Sequence, residues 1–188
     1  MSEPARPAAS VRPATAERLG LQPHPEGGWF RRTWTSPLTV TLPRGQRAAA
    51  SLIHYLLENG EASAWHVVKS DEIWLWHGPG RLTLQLGGSG DEPVPGESTV
   101  LGPDILAGDH AQAVVPAGVW QRTLPADGET LVSCVVSPEF SFDDWALDVP
   151  GASAAPGSER GLGSDPGSSS DSNSGSGSSS GSNSSSGA

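Results

Sequence analysis

This chain is short of what would staple it, thread it through a membrane or let it grip an anion. Its 188 residues include one cysteine, so no disulfide can close within the chain. That residue, Cys134, lies in the apolar run Leu131 to Val136 with no motif around it. A buried structural thiol is expected there rather than a nucleophile. No apolar run is long enough to span a bilayer. The first residues lack the apolar stretch of a secretory signal, and a cytoplasmic location is expected. Basic residues are scarce: Lys and Arg number 11 against 21 Asp and Glu, for a net charge of −10. Between Glu17 and Asp148 there are 17 acids and 8 bases, so the acidity is not an effect of the termini. Such a surface repels nucleic-acid phosphates and anionic lipid, and neither is expected as a partner.

Gly and Pro are plentiful, at 24 and 17 residues, and they divide the chain. From Gly151 onward it is almost entirely Gly, Ser, Ala, Asn, Asp and Pro, and Ser168 to Ala188 holds nothing apolar larger than alanine. Such a segment buries too little surface to offset its ordering entropy, so residues 151–188 are expected to be a disordered tail. Residues 1–16, rich in Ala and Pro, are expected to form a flexible arm. Residues 17–150 remain as one domain with a single core.

Within that domain the apolar runs are all strand-length. They are Ser51 to Leu57, Ala64 to Val68, Glu72 to His77, Leu82 to Leu86, Ser98 to Leu101, Gln112 to Val115, Val119 to Leu124 and Leu131 to Val136. Trp29 to Trp34 reads as a further strand, with Trp29, Arg31 and Thr33 on one face and Phe30, Arg32 and Trp34 on the other. None of these runs keeps a helical period. Many short strands at this spacing predict an all-β sandwich or barrel. Short helical segments are expected only near its ends, at Thr15 to Leu21 with Thr15 as cap, and near Asp143.

Three segments carry the residues able to do chemistry. His66 and Glu72 flank Lys69-Ser70-Asp71; a turn there would let an imidazole just before it and a carboxyl just after it face the same interior, while alternation sends His77 the other way. Pro116-Ala-Gly-Val-Trp-Gln121 sets a tight turn ahead of a polar side chain. Pro23-His-Pro-Glu26-Gly-Gly28 breaks regular structure, and His24 could fold over the mouth of a barrel. Seven tryptophans is a high count for so small a domain. Trp65, Trp74, Trp76 and Trp120 flank these segments, either as core filling or as cavity walls.

Together the segments resemble the two motifs of the cupin superfamily. The first runs from Gly60 through His66 and Glu72 to a glycine at 78 or 80. Val68 stands where the second histidine belongs. In the second, Pro116 and Gly118 match and Gln121 replaces the histidine. Longer pieces are similar to a small single-domain branch of that superfamily known as domain of unknown function 985, or cupin family 5. They are Leu21-x-Pro-His-Pro-Glu-Gly-Gly-Trp-Phe-Arg31, Ser63-Ala-Trp-His66, Ser70-Asp-Glu-Ile-Trp74, Leu101-Gly-Pro-Asp104, Gln112 to Gln121 and Ser137 to Trp145. The likeness extends over nearly everything from Leu19 to Leu147.

That resemblance implies a jelly-roll β-barrel, often paired as a homodimer, and names no reaction. The expected function is binding of a small polar molecule in the barrel. Metal-independent isomerisation or epimerisation of a sugar-type compound would follow, with His66 and Glu72 as acid and base. Glu26, Arg31, Trp74, Trp76, Trp120 and Gln121 are the expected ligand-binding residues, Arg31 being equally at home on the surface. No cofactor is expected. A divalent metal on His66, Glu72 and Gln121 is one alternative, disfavoured because valine cannot ligate and an amide oxygen is a weak transition-metal ligand. A binding or sensing module without turnover is another.

Overall fold

Among its described residues the chain builds one short α-helix and twelve strands. They are α1 (Ala14–Leu19), β1 (Gln22–Pro23), β2 (Trp29–Thr35), β3 (Thr39–Leu42), β4 (Gly45–Ala48), β5 (Ser51–Leu57), β6 (His66–Val68), β7 (Asp71–Leu86), β8 (Ser98–Leu101), β9 (Gln112–Val115), β10 (Gln121–Thr123), β11 (Asp127–Ser137) and β12 (Trp145–Leu147). These come from a computed structural model that describes residues 12–148. The expected arm, apart from its last five residues, and the expected tail lie outside the described residues. Ten of the strands form the two facing walls of an antiparallel jelly-roll barrel, in the order β1-β2-β5-β11-β7-β10-β6-β12 with β8 and β9 paired to β7, while β3 and β4 form a separate two-stranded sheet.

The long strand β7 joins the two walls. Its first half pairs with β11 and β9, its second half with β10 and β8. The sequence predicts two strands here, because Gly78-Pro-Gly80 reads as a break. Instead Gly78, at φ +95°, lets a single strand turn a corner from one wall to the other. The expected hairpin at Lys69 to Asp71 needs a similar correction. β6 pairs with β10 and β12 while the start of β7 pairs with β11 and β9, so these two strands belong to opposite walls.

One end of the barrel is filled by Tyr55, Leu57, Trp74, Leu82, Leu101 and Val132, all fully buried. The other end is left open as a cavity. Helix α1 begins at Ala14 with Pro13 as cap rather than Thr15, whose hydroxyl donates to Glu129. It ends at Gly20, and it covers Trp29, Leu56 and Leu131 on the outer face of the first wall.

The hairpin β3–β4 was not legible in the sequence, yet it anchors the cavity rim. Arg44 and Arg47 both reach the buried Asp144 carboxylate, at 3.1 and 2.9 Å. That contact fixes the helical turn Phe142–Asp144, which was expected near Asp143, so that Phe142 closes one side of the cavity.

The rest of the outer face of the first wall is bare. Trp34, Leu52, Val135, Ile73 and Val114 line up in register across β2, β5, β11, β7 and β9. The next row is Arg31, His54, Ser133, Leu75 and Gln112. Neither row carries a carboxylate. Among the described residues no helix is long and apolar enough to cross a membrane.

Candidate functional site

The cavity opens between the walls and draws one side chain from each for chemistry. His66 comes from β6 and Glu72 from the start of β7, and both line it. Alternation in β6 turns His66 and Val68 inward together, leaving Val67 half-buried on the other side. The apolar lining comes from Phe30, Ile53, Val68, Val136, Phe140 and Phe142.

The loop between β1 and β2 supplies His24 and Glu26. It is pinned by Ala64 N–H donating to the Glu26 carbonyl at 2.7 Å and by the Tyr55 hydroxyl donating to the Gly27 carbonyl at 2.7 Å. Gly27 is required for this approach. At its φ of +110° a Cβ would stand 2.6 Å from the Ala62 carbonyl oxygen. The loop therefore presses Glu26 and His24 into the cavity, where both are buried.

His66 has a defined tautomer. Its Nδ1 lies 2.8 Å from the Ala64 carbonyl oxygen, which only accepts, so Nδ1 carries the hydrogen and Nε2 is left as a basic lone pair. Glu26 Oε2 lies 3.3 Å from the same Nδ1, and 3.6 Å from Nδ1 of His24. Burial pushes His66 below its ordinary pKa, against the upward pull of Glu72 and the Ala64 carbonyl. His24 is also pushed down by burial, against Glu26. Glu72 is pushed up by burial, opposed by His66 and by hydrogen bonds from Gln121 and Cys134, with Glu26 adding to the rise. Burial raises Glu26 too, opposed chiefly by His24. Burial thus works against the charged form of all four groups, while each imidazole–carboxyl contact pulls the other way.

Gln121 closes the arrangement, and its orientation is fixed. The indole N–H of Trp74 can only donate, and it donates to Gln121 Oε1 at 2.9 Å. The amide must then present Nε2 to Glu72, and it donates to Oε2 at 2.7 Å. Glu72 Oε2 is therefore held as an acceptor. Cys134 sits beside Glu72, with its thiol pushed well above the usual range by burial, so it is no nucleophile.

The expected site residues divide into those inside and those outside. His66, Glu72 and Glu26 line the cavity, and Gln121 and Trp74 stand behind Glu72. Arg31 does not line it; it is exposed on the outer face, and Arg32 is the arginine at the cavity. Arg32 donates to Glu139 at 3.3 Å and to the Phe140 carbonyl at 2.9 Å. Trp76 and Trp120 also lie away from the cavity, their indole N–H groups tied to the Gly80 and Gly90 carbonyls. The aromatic lining is phenylalanine, with Trp145 nearby. The buried Trp145 Nε1–H lies beside Glu26 but closes no normal hydrogen bond among the described residues.

Val68 has no donor atom, and the amide at 121 turns its N–H, not its oxygen, toward Glu72. Among the described residues no three His, Cys, Asp or Glu side chains converge as ligands.

Two antiparallel walls closing a barrel, with an imidazole and a carboxyl meeting inside it from either side of the turn at Lys69 to Asp71, define a cupin. The family comparison is more specific. Residues 14–148 match the family described as Cupin superfamily (DUF985), and the chain belongs to that family. A solved protein from Shewanella oneidensis is 35% identical, over 71% of this chain and 82% of that one, with a TM-score of 0.62. A hypothetical protein from Leishmania major is 30% identical, over 71% of this chain and 84% of that one, with a TM-score of 0.63. No curated protein matches the chain.

Proposed function

We propose that this cupin binds a small polar molecule in its barrel and moves a proton on it without a metal, as an isomerase or epimerase. One observation carries the reading. A neutral imidazole with a free Nε2 lone pair and a carboxyl raised by burial line one cavity from opposite walls. Burial shifts each toward the neutral form that an acid–base pair needs. Nε2 of His66 takes a proton from the carbon next to a carbonyl, and the Glu72 proton passes to the carbonyl oxygen. The C–H electron pair becomes the carbon–carbon double bond of an enediol. Return of a proton to the neighbouring carbon, or to the other face of the same carbon, gives the isomer or epimer, and no redox partner is consumed.

Mass spectrometry of small molecules retained by the purified protein tests this. The expected result is a retained hydroxy-carbonyl compound present as two isomers, and recovered as only one after His66→Ala. A single compound recovered unchanged from both proteins would favour a binding module without turnover.

The partner chain we propose is a second copy. An acid-rich molecule repels its own image except where acid is missing, and the two rows around Leu52 and Ile73 lack it while presenting apolar surface. Trp34 and Val114 at the ends of the apolar row are 48% and 56% exposed. Light scattering is expected to give twice the chain mass, falling to the single-chain mass in Ile73→Glu. A monomer before substitution contradicts the proposal.

A further inference from the structure

His24 lines the same cavity as the acid–base pair and has no part in the proton transfer described above. Two backbone bonds close its turn: its own N–H donates to the Gly28 carbonyl and the Gly27 N–H donates to its carbonyl, each at 3.0 Å. The turn aims the Glu26 N–H at the ring, and that N–H donates to His24 Nδ1 at 3.3 Å. A backbone N–H can only donate, so Nδ1 presents its lone pair and the ring hydrogen sits on Nε2. A doubly protonated ring would set two hydrogens against each other across this contact. The tautomer is the reverse of that of His66, whose Nδ1 gives its hydrogen to the Ala64 carbonyl. Both rings turn Nδ1 toward Glu26 Oε2, which is 3.6 Å from His24 and 3.3 Å from His66, so both Nε2 atoms point away from that carboxyl. Among the described residues neither Nε2 has a hydrogen-bond partner and neither is a sealed-off atom, so both open on the cavity that their rings line. Aromatic neighbours hold the His24 ring in place. Phe30 meets it edge-on at 4.5 Å between centroids, and Phe142 stacks on it at 6.3 Å. A fixed N–H of this kind stabilises negative charge developing on a ligand oxygen without having to reorganise.

We infer that His24 is a third catalytic residue, a neutral imidazole whose Nε2–H donates to the ligand oxygen that gains charge as His66 removes the proton. The hydrogen stays on His24 throughout, and Glu72 remains the group that delivers a proton to that oxygen. The inference rests on the acid–base reading above and adds to it the group that holds the oxygen.

Nitrogen NMR of the full chain, labelled at histidine and held near neutral pH, reads the two tautomers directly. His24 is expected to carry its hydrogen on Nε2 and His66 on Nδ1. A His24 ring with hydrogen on Nδ1, or on both nitrogens, overturns the inference. The rate is read from exchange of the carbon-bound hydrogens of dihydroxyacetone, the probe, in heavy water. His24→Phe is expected to lower kcat on the order of 100-fold and to leave KM nearly unchanged, as loss of one oxyanion donor does. His24→Gln, which keeps an N–H at similar reach, is expected to be at least about tenfold faster than His24→Phe. Equal rates in the parent and His24→Phe, or in the two variants, with folding checked by circular dichroism, overturn the role of His24 and leave the His66–Glu72 pair standing. A parent that exchanges no hydrogen removes the acid–base reading and the inference with it.

Discussion

Replacing Val68 and Gln121 together with histidine is expected to turn this cavity into a transition-metal site. The parent should show no binding at about 1 mM Zn²⁺ or Ni²⁺ and the variant a Kd of about 1 μM or tighter, a gain on the order of 4 kcal/mol. Val68 faces inward beside His66, and Gln121 already reaches Glu72. Two histidines at these positions would complete a set of three imidazoles and one carboxylate, a far better donor set than the present one. The substitution also removes the amide N–H that occupies Glu72 Oε2, freeing that oxygen to ligate. Gln121→His alone should give intermediate affinity. Calorimetry on protein shown to be folded by circular dichroism decides the matter. A folded double variant that binds no metal would mean these four positions do not converge. A parent that binds as tightly would mean the amide does not block the site.

The second large effect concerns Glu72→Gln, which should make the protein more stable at pH 8 and less able to retain its ligand. The folded pKa of Glu72 lies above its ordinary value of 4.5 because burial disfavours the anion. Below that value the carboxyl is neutral in both folded and unfolded chains and costs nothing. As pH rises through it the unfolded chain ionises first, and stability falls until the folded pKa is passed. Glutamine never ionises, yet its oxygen can still accept from Gln121. The variant should match the parent near pH 4 and exceed it at pH 8, seen as a rise in Tm. His66 acts in the opposite direction. Its folded pKa lies below the ordinary 6.5, so its contribution is complete above that value and is lost as pH falls toward the folded pKa. In the variant, with Glu72 silent, the remaining loss on acidification around the site should be the histidines' own. Lower stability of Glu72→Gln at pH 8 would mean that Glu72 is ionised and favourably paired. A gain in stability with a loss of binding is the mark of a group kept for function at the expense of the fold.

Much of this was legible in the sequence because strand alternation holds through β6 and the start of β7, unlike β2, where a bulge at Thr33 turns Trp34 to the outer face. His66, Val68 and Glu72 could be assigned to one interior from spacing alone, and His77 to the other side, where it is exposed. The turn between them passes from one wall to the other rather than closing a hairpin, which spacing alone does not distinguish. Arg31 and Arg32 show where the pattern fails. On β2, Trp29 is buried under α1 on the outer face while Phe30 faces the cavity, so both faces begin with a covered aromatic. Alternation gives two faces without saying which is inside. The tryptophans were ambiguous for a related reason. An indole fills a core or walls a cavity equally well, and what places Trp76 and Trp120 is a backbone carbonyl that no sequence pattern identifies. The hairpin β3–β4 escaped notice because its strands are short and half-exposed, and its anchor, Asp144, is about a hundred residues away.

Carbon and nitrogen NMR of selectively labelled protein, following the Glu72 carboxyl and the His66 ring from pH 4 to 9, tests most directly whether acid and base coexist in this barrel. The expected spectrum near pH 7 shows a protonated Glu72 carboxyl together with a neutral His66 bearing its hydrogen on Nδ1. An ionised Glu72 beside a charged His66 at that pH would contradict it.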